Sequence, residues 1–168
     1  MNTWNGILKI IEIQHIRDGK VLWHDENILN MLHTSGEEFL LSCCFANDGT
    51  IVPTNYHFGL DSRSTLALSD TMSTILTLEP SGNGYARQQV SSNGGFAVQM
   101  VNGYYRAVPQ IVNFTATGTY GPVRNLFMSD MPDNSGTLIS SAQLSSAITF
   151  ASGDSVALRM SLQLKNQN

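Results

Sequence analysis

The chain has 168 residues, enough for one domain that buries roughly two-thirds of the surface its unfolded form exposes. Apolar residues make up 42%, charged residues only 13% against a usual value of about 25%, and the net charge is −4. Lys and Arg fall singly, without the clustered cations that nucleic-acid binding needs, and no apolar run is long enough to span a membrane.

The first residues, MNTWNGILKIIEIQHIRDG, have no basic start and no small-residue cleavage site, and Lys9, Glu12 and Gln14 interrupt the apolar run. That argues against a signal peptide and for folding in a cytoplasm. Residues 7–24 read as a β-hairpin turning at Asp18-Gly19, with KVLWH as the return strand. Ile7, Ile11 and Ile13 fall on one face, and Leu8, Ile10 and Ile16 on the other. Such a hairpin must be covered on both sides, by its own domain or by a neighbouring subunit. The expected organisation is therefore a hairpin or arm over residues 1–24 and one β-rich domain over 25–168. As an arm, the hairpin would use Trp4, Ile7, Leu8 and Trp23 as anchors. In the other reading these residues close the domain's own core.

Residues 25–46 change character. Ile28, Leu29 and Leu32 recur at helical spacing after Asp25, and Thr34-x-x-Glu37 has the form of a capping box. Phe39, Leu40, Cys43 and Cys44 would form a buried stripe. This predicts two short helices, or one broken at Ser35-Gly36. The adjacent cysteines suit small apolar packing residues better than a disulfide or a zinc site.

Beyond Asn47-Asp48-Gly49 the pattern is β. Strands are expected near Tyr56–Leu60, Ala86–Val90, Phe96–Val101, Gln110–Ala116, Arg124–Met128, Gly136–Leu144, Ser146–Phe150 and Val156–Leu164, with a long loop and a helical turn near Asp70. The last strand alternates Val156, Leu158, Met160, Leu162 and Leu164 against Ala157, Arg159, Ser161 and Gln163, one buried face and one wet or contact face. Many short strands punctuated by Gly, Asn and Ser turns give a mainly β fold. It is expected as an antiparallel β-sandwich or barrel-like domain, with an N-terminal hairpin and one or two short helices.

No motif supplies an active site. In EPSGNGYARQQV, Gly82-Asn83-Gly84 is followed by Tyr85-Ala86-Arg87 and a strand. A phosphate loop needs a Lys and a helix there, so the stretch reads as a turn delivering Tyr85 and Arg87, with an intersubunit ion pair as a further role for Arg87. His15, His24, His33 and His57 have no metal-ligand spacing, and no serine lies in Gly-x-Ser-x-Gly. Glu37 and Glu38 suit a helix start, and Asp61 with Arg63 suits a loop lock. Asp130, Asp133 and Asn134 miss calcium-loop spacing. The expectation is no catalysis, no cofactor and no metal.

In order, the motifs NILNMLHTSGEEFLLSCCF, NYHFGLDSR, LEPSGNGYARQQV, TATGTYGPVRNLFM and LSSAITFASGDSVALRMSLQL resemble small structural proteins of tailed bacteriophages, over most of residues 20–165. The resemblance implies a place in the virion after assembly in the host cytoplasm, and carries over no catalytic residues. The expected role is a capsid decoration or cement protein, a homo-oligomer contacting other virion proteins, the major capsid protein first. The alternatives are a tail, collar or head–tail junction component, and a receptor- or glycan-binding β-sandwich using tyrosines such as Tyr85, Tyr104, Tyr105 and Tyr120. Candidate interface residues are Trp4, Ile7, Leu8, Trp23, Tyr85, Arg87, Tyr104 and Tyr105.

Overall fold

The computed structural model describes the backbone of residues 4–46, 48–101 and 103–166. The side chains of residues 4–11, 27, 29, 30, 101, 104 and 163–166 lie outside the description. In chain order the elements are β1 (Trp4–Arg17), β2 (Lys20–Leu32), α1 (Thr34–Phe45), β3 (Asn55–Asp61), α2 (Met72–Ile75), β4 (Gln88–Ser91), β5 (Phe96–Val101), β6 (Tyr104–Pro109), β7 (Val112–Thr115), β8 (Tyr120–Ser129), β9 (Leu138–Phe150) and β10 (Ser155–Asn166).

Every strand pair is antiparallel, and the strands follow the order β4-β3-β8-β9-β2-β1-β10-β6-β5, with β7 also on β10. Strand β2 joins the two halves. Its residues Lys20 to Leu29 pair with β1, and Asn30 to Leu32 pair with β9. Two sheets result, and their inner faces meet in one core of Ile13, Phe58, Leu60, Val123, Leu126, Met128, Phe150, Val156, Leu158 and Met160. This is the β-sandwich-like fold with two helices that the alternating patterns predict.

The N-terminal hairpin is longer than residues 7–24, and β1 sits between β2 and β10 in the sheet. Ile13 on β1 is fully buried, Ile10 pairs with Met160, and His15 pairs with Val156. The described part of the hairpin therefore belongs to the domain's own sheet. The helix expected from Ile28 to Leu32 is strand instead, with Met31 and Leu32 paired to Ser141 and Ser140. Apolar residues spaced four apart satisfy both an even strand period and a helix turn, and here sheet pairing decides. Helix α1 is continuous from Thr34. Its N-cap is His33, without a side-chain cap hydrogen bond, so the Thr34–Glu37 capping box does not form. Phe39 is buried and Leu40 and Cys43 half-buried, but Cys44 is exposed. Gly36 marks a contact, not a break. A Cβ there would lie 2.1 Å from the Ile139 carbonyl oxygen, so only glycine lets α1 lie this close to β9.

Later strands largely fall where expected, with two differences. Strand β6 returns directly after Gly103, whose φ of 82° suits the hairpin turn. The two strands expected over 136–150 form the single strand β9, which pairs with β8 from Ser129 to Tyr120 across register irregularities. On β10, Val156, Leu158 and Met160 are buried as predicted, and Leu162 packs half-buried against the core.

Deleting residues 1–24 removes β1 and its Asp18-Gly19 turn from the middle of the sheet. The expected product is aggregated and shows no cooperative thermal transition by circular dichroism. A soluble, cooperatively melting fragment would return the hairpin to the status of an arm.

Candidate functional site

Buried charged side chains gather at three knots, and each knot decides what its residues are free to do. The first lies beyond the end of β3. Arg63 donates to Asp61 through Nε at 3.0 Å and Nη2 at 2.7 Å, to Asp70 through Nη1 at 2.8 Å, and to Ser141 Oγ at 2.7 Å. Asn125 Nδ2 donates to Asp61 and to the Arg63 carbonyl, both at 2.8 Å. Asp61 and Arg63 are buried, so pairing alone makes their charges tolerable. The loop lock predicted for GLDSR is present.

Ser141 and His33 complete this knot in an arrangement that superficially suggests a nucleophile and its base. His33 Nδ1 lies 2.9 Å from the Ala67 carbonyl, which can only accept, so Nδ1 carries the proton. Nε2 is then the acceptor, and it takes the Ser141 hydroxyl proton over 2.8 Å. Ser141 Oγ in turn accepts from Arg63. Both Ser141 and His33 are fully buried. The chain Arg63→Ser141→His33→Ala67 thus runs to completion inside the protein. It fastens β9, the β2–α1 junction and the 62–71 loop together, with no face open to a substrate.

The second knot centres on Asp154, 1% exposed. Arg17 grips it bidentately at 2.5 and 2.8 Å, His15 Nε2 donates at 2.8 Å, and the Ala151 amide donates at 2.8 Å. The Arg17 hydrogen bonds hold the Asp154 carboxyl well below the usual carboxylate range, against the opposing effect of burial. This knot pins β1 to the β9–β10 turn.

The third knot answers the question raised by EPSGNGYAR. Gly82, Asn83 and Gly84 all adopt positive φ, at 72°, 52° and 81°. The Asn83 carbonyl accepts from the Thr117 amide at 2.9 Å. The segment is a tight turn, closed by the Tyr85 amide on the Gly82 carbonyl at 3.0 Å. It brings Arg87 onto Glu79, at 2.8 Å through Nε and 2.5 Å through Nη2, onto the Asp133 carbonyl and Asn134, and over the Phe127 ring at 5.1 Å. Tyr85 accepts from the Leu60 amide at 2.9 Å and donates to Glu79 at 2.7 Å, and its ring stacks on Phe114. Burial pushes the Tyr85 phenol far above its ordinary pKa. The ion pair of Arg87 is therefore made within the chain, with Glu79.

Of the candidate interface residues, Tyr85 and Arg87 are occupied in this knot, and Trp23 packs half-buried against the core. Tyr105 is 67% exposed on β6. The side chains of Trp4, Ile7, Leu8 and Tyr104 lie outside the described residues. Sequence reasoning missed other exposed apolar groups: Val98 and Met100 on β5, Val21 and Leu22 at the β1–β2 turn, and Leu41, Phe45, Ile51 and Val52 on and after α1. Leu41 and Phe45, with Thr34, Glu37, Glu38, Ser42 and Ala46, line an open groove of about 470 Å³. The signal for this outward face was the period itself: Gly36, Phe39, Leu40 and Cys43 point inward, leaving Leu41 and Phe45 outside.

Among the described residues, no three His, Cys, Asp or Glu side chains converge on a cation position, and no helix is long and apolar enough to cross a membrane. No known family model matches the chain, and no curated protein matches it either.

Replacing Arg87 by Met leaves the largely buried Glu79 carboxylate without its cation and with only the Tyr85 hydroxyl, with an expected loss of about 3 kcal/mol in urea unfolding. An unchanged midpoint would mean that Arg87 serves a partner and not the fold. A second outcome concerns pH. Burial first, and then the charge of Arg63, hold the His33 pKa below its ordinary 6.5. The unfolded chain takes up a proton below that pH and the folded chain does not, so this contribution is complete above 6.5 and declines as pH falls. The expected decline is up to about 1.4 kcal/mol per pH unit, flattened in His33→Gln. Equal slopes for the two proteins between pH 6.5 and 5 would contradict the neutral His33 fastener.

Proposed function

We propose that this protein is a structural component of a tailed-bacteriophage particle, a decoration or cement subunit that stabilises the shell through repeated contacts with the major capsid protein. The observation that carries the reading is the distribution of exposed apolar side chains. Val21 and Leu22 at the β1–β2 turn, Leu41 and Phe45 on α1, Ile51 and Val52 in the segment after it, and the β5–β6 hairpin are different elements of one 18.4 kDa chain. Leu41 is 53%, Phe45 85%, Ile51 81% and Val98 72% exposed. A monomer with one ligand needs one such patch, whereas a subunit held by several neighbours needs several. The surface between them is rich in Ser, Thr, Asn and Gln, which desolvate at less cost than ions. Small contacts repeated by symmetry then sum to a large stabilisation. The resemblance of the ordered motifs to small structural phage proteins supports the same role.

The test is copy number. Quantitative mass spectrometry of purified particles is expected to give a ratio to the major capsid protein typical of a shell-covering component. A small ring-like count would move the chain to the tail or collar. Its absence from particles would overturn the structural role.

A further inference from the structure

The strand β5 closes one end of the sheet order and, among the described residues, pairs with β6 alone. Its sequence, FAVQMV, has no charge, no proline and no glycine. Sheet edges are normally blunted by lysine, proline, a bulge or a covering segment, because their free amides and carbonyls invite another strand. None of the first three is present here. The other terminal strand, β4, is only four residues of QQVS.

From Ala97 to Met100, β5 is also bare on both faces. On one face Val98 is 72% and Met100 62% exposed, and Met100 sits opposite Tyr105. On the other face Ala97 and Gln99 are exposed. Charge favours a copy of the same chain as the cover. The net charge is −4, yet no carboxylate occurs between Glu79 and Asp130. The cations of this stretch are Arg87, held by Glu79, Arg106 on β6 and Arg124 on β8, so β5 itself is an uncharged seam on which two copies meet without like charges in register.

The ladder fixes which groups are free. The Gln110 amide donates to the Gly95 carbonyl at 3.1 Å, and the register continues through Ala97 with Val108, Gln99 with Arg106 and Val101 with Tyr104. In an antiparallel pair these are the hydrogen-bonded positions, so the backbone groups of Val98 and Met100 point away from β6 to the open edge. We propose that β5 pairs antiparallel with β5 of a second copy about a two-fold axis through Gln99. Val98 then exchanges both backbone hydrogen bonds with Met100 of the second copy, and the reverse. Gln99 faces Gln99, and the Arg106 opposite each Gln99 lies one strand back from the seam, so no like charges meet in it. The apolar row Tyr105–Met100 continues into Val98 and Ala107 of the second copy. This pairing does not rest on the particle role and is read from the purified chain alone.

Light scattering after size exclusion is expected to give twice the 18.4 kDa mass for the natural chain. Val98→Pro removes an outward amide without touching the β6 ladder, as edge prolines do. It is expected to melt as cooperatively as the natural chain and to elute as a single copy. In hydrogen exchange, the Val98 and Met100 amides of the natural chain are expected to be protected. A monomeric natural chain, a Val98→Pro variant that folds and stays paired, or free exchange at both amides would overturn the proposal. Should Val98→Pro fail to fold, the exchange measurement decides alone.

Discussion

The bidentate pairing of Arg63 with Asp61, buried between the β3–β8–β9 sheet and the 62–71 loop, is the constraint on which the rest of the structure depends. Two charges are taken out of water there, and neither is tolerable without the other. Satisfying them recruits Asp70 from the loop before α2, Asn125 from β8, and Ser141 from β9. Ser141 in turn donates to His33, whose tautomer the Ala67 carbonyl sets, and His33 stands at the junction between β2 and α1. One buried guanidinium therefore fixes the position of a loop that has little strand of its own. The backbone follows: His33 donates to Ile139 and Thr34 to Leu68.

The same economy governs the other two knots. Arg17 and His15 hold Asp154, and Arg87 holds Glu79 and the 131–134 turn. In a chain with nine Lys and Arg, three arginines are thus committed to internal work. The surface inherits few charges and many exposed aliphatic groups. Low charge lowers the cost of covering that surface, and exposed apolar groups supply a reason to cover it. Internal arginine knots and a surface poor in charge are in this sense two sides of one allocation, which agrees with the proposed subunit role.

Much of the fold was legible because β patterning is local. The alternation from Val156 to Met160, the Asp18-Gly19 turn and the Asn102-Gly103 break each specify structure within a few residues. The segment from Ile28 to Leu32 was not legible, since its spacing fits a helix or a strand until Ser140 and Ser141 present a partner strand. Gly36 looked like a break because its purpose, contact with Ile139, lies a hundred residues away in sequence. The site was harder. Asp61 and Arg63 were readable as a pair from adjacency, but Glu79 with Arg87 depended on a turn that folds eight residues back. Tyr85 and Arg87 therefore read as outward anchors, and the edge residues Val98 and Met100 as ordinary strand.

The central claim is that this chain works by having its exposed apolar faces covered. Hydroxyl-radical footprinting reads that directly, comparing the free chain with the chain in purified particles at Leu41, Phe45 and Ile51. The account predicts strong labelling of all three in the free chain and strong protection in the particle. Equal labelling in both states, or no such chain in the particle, would contradict it.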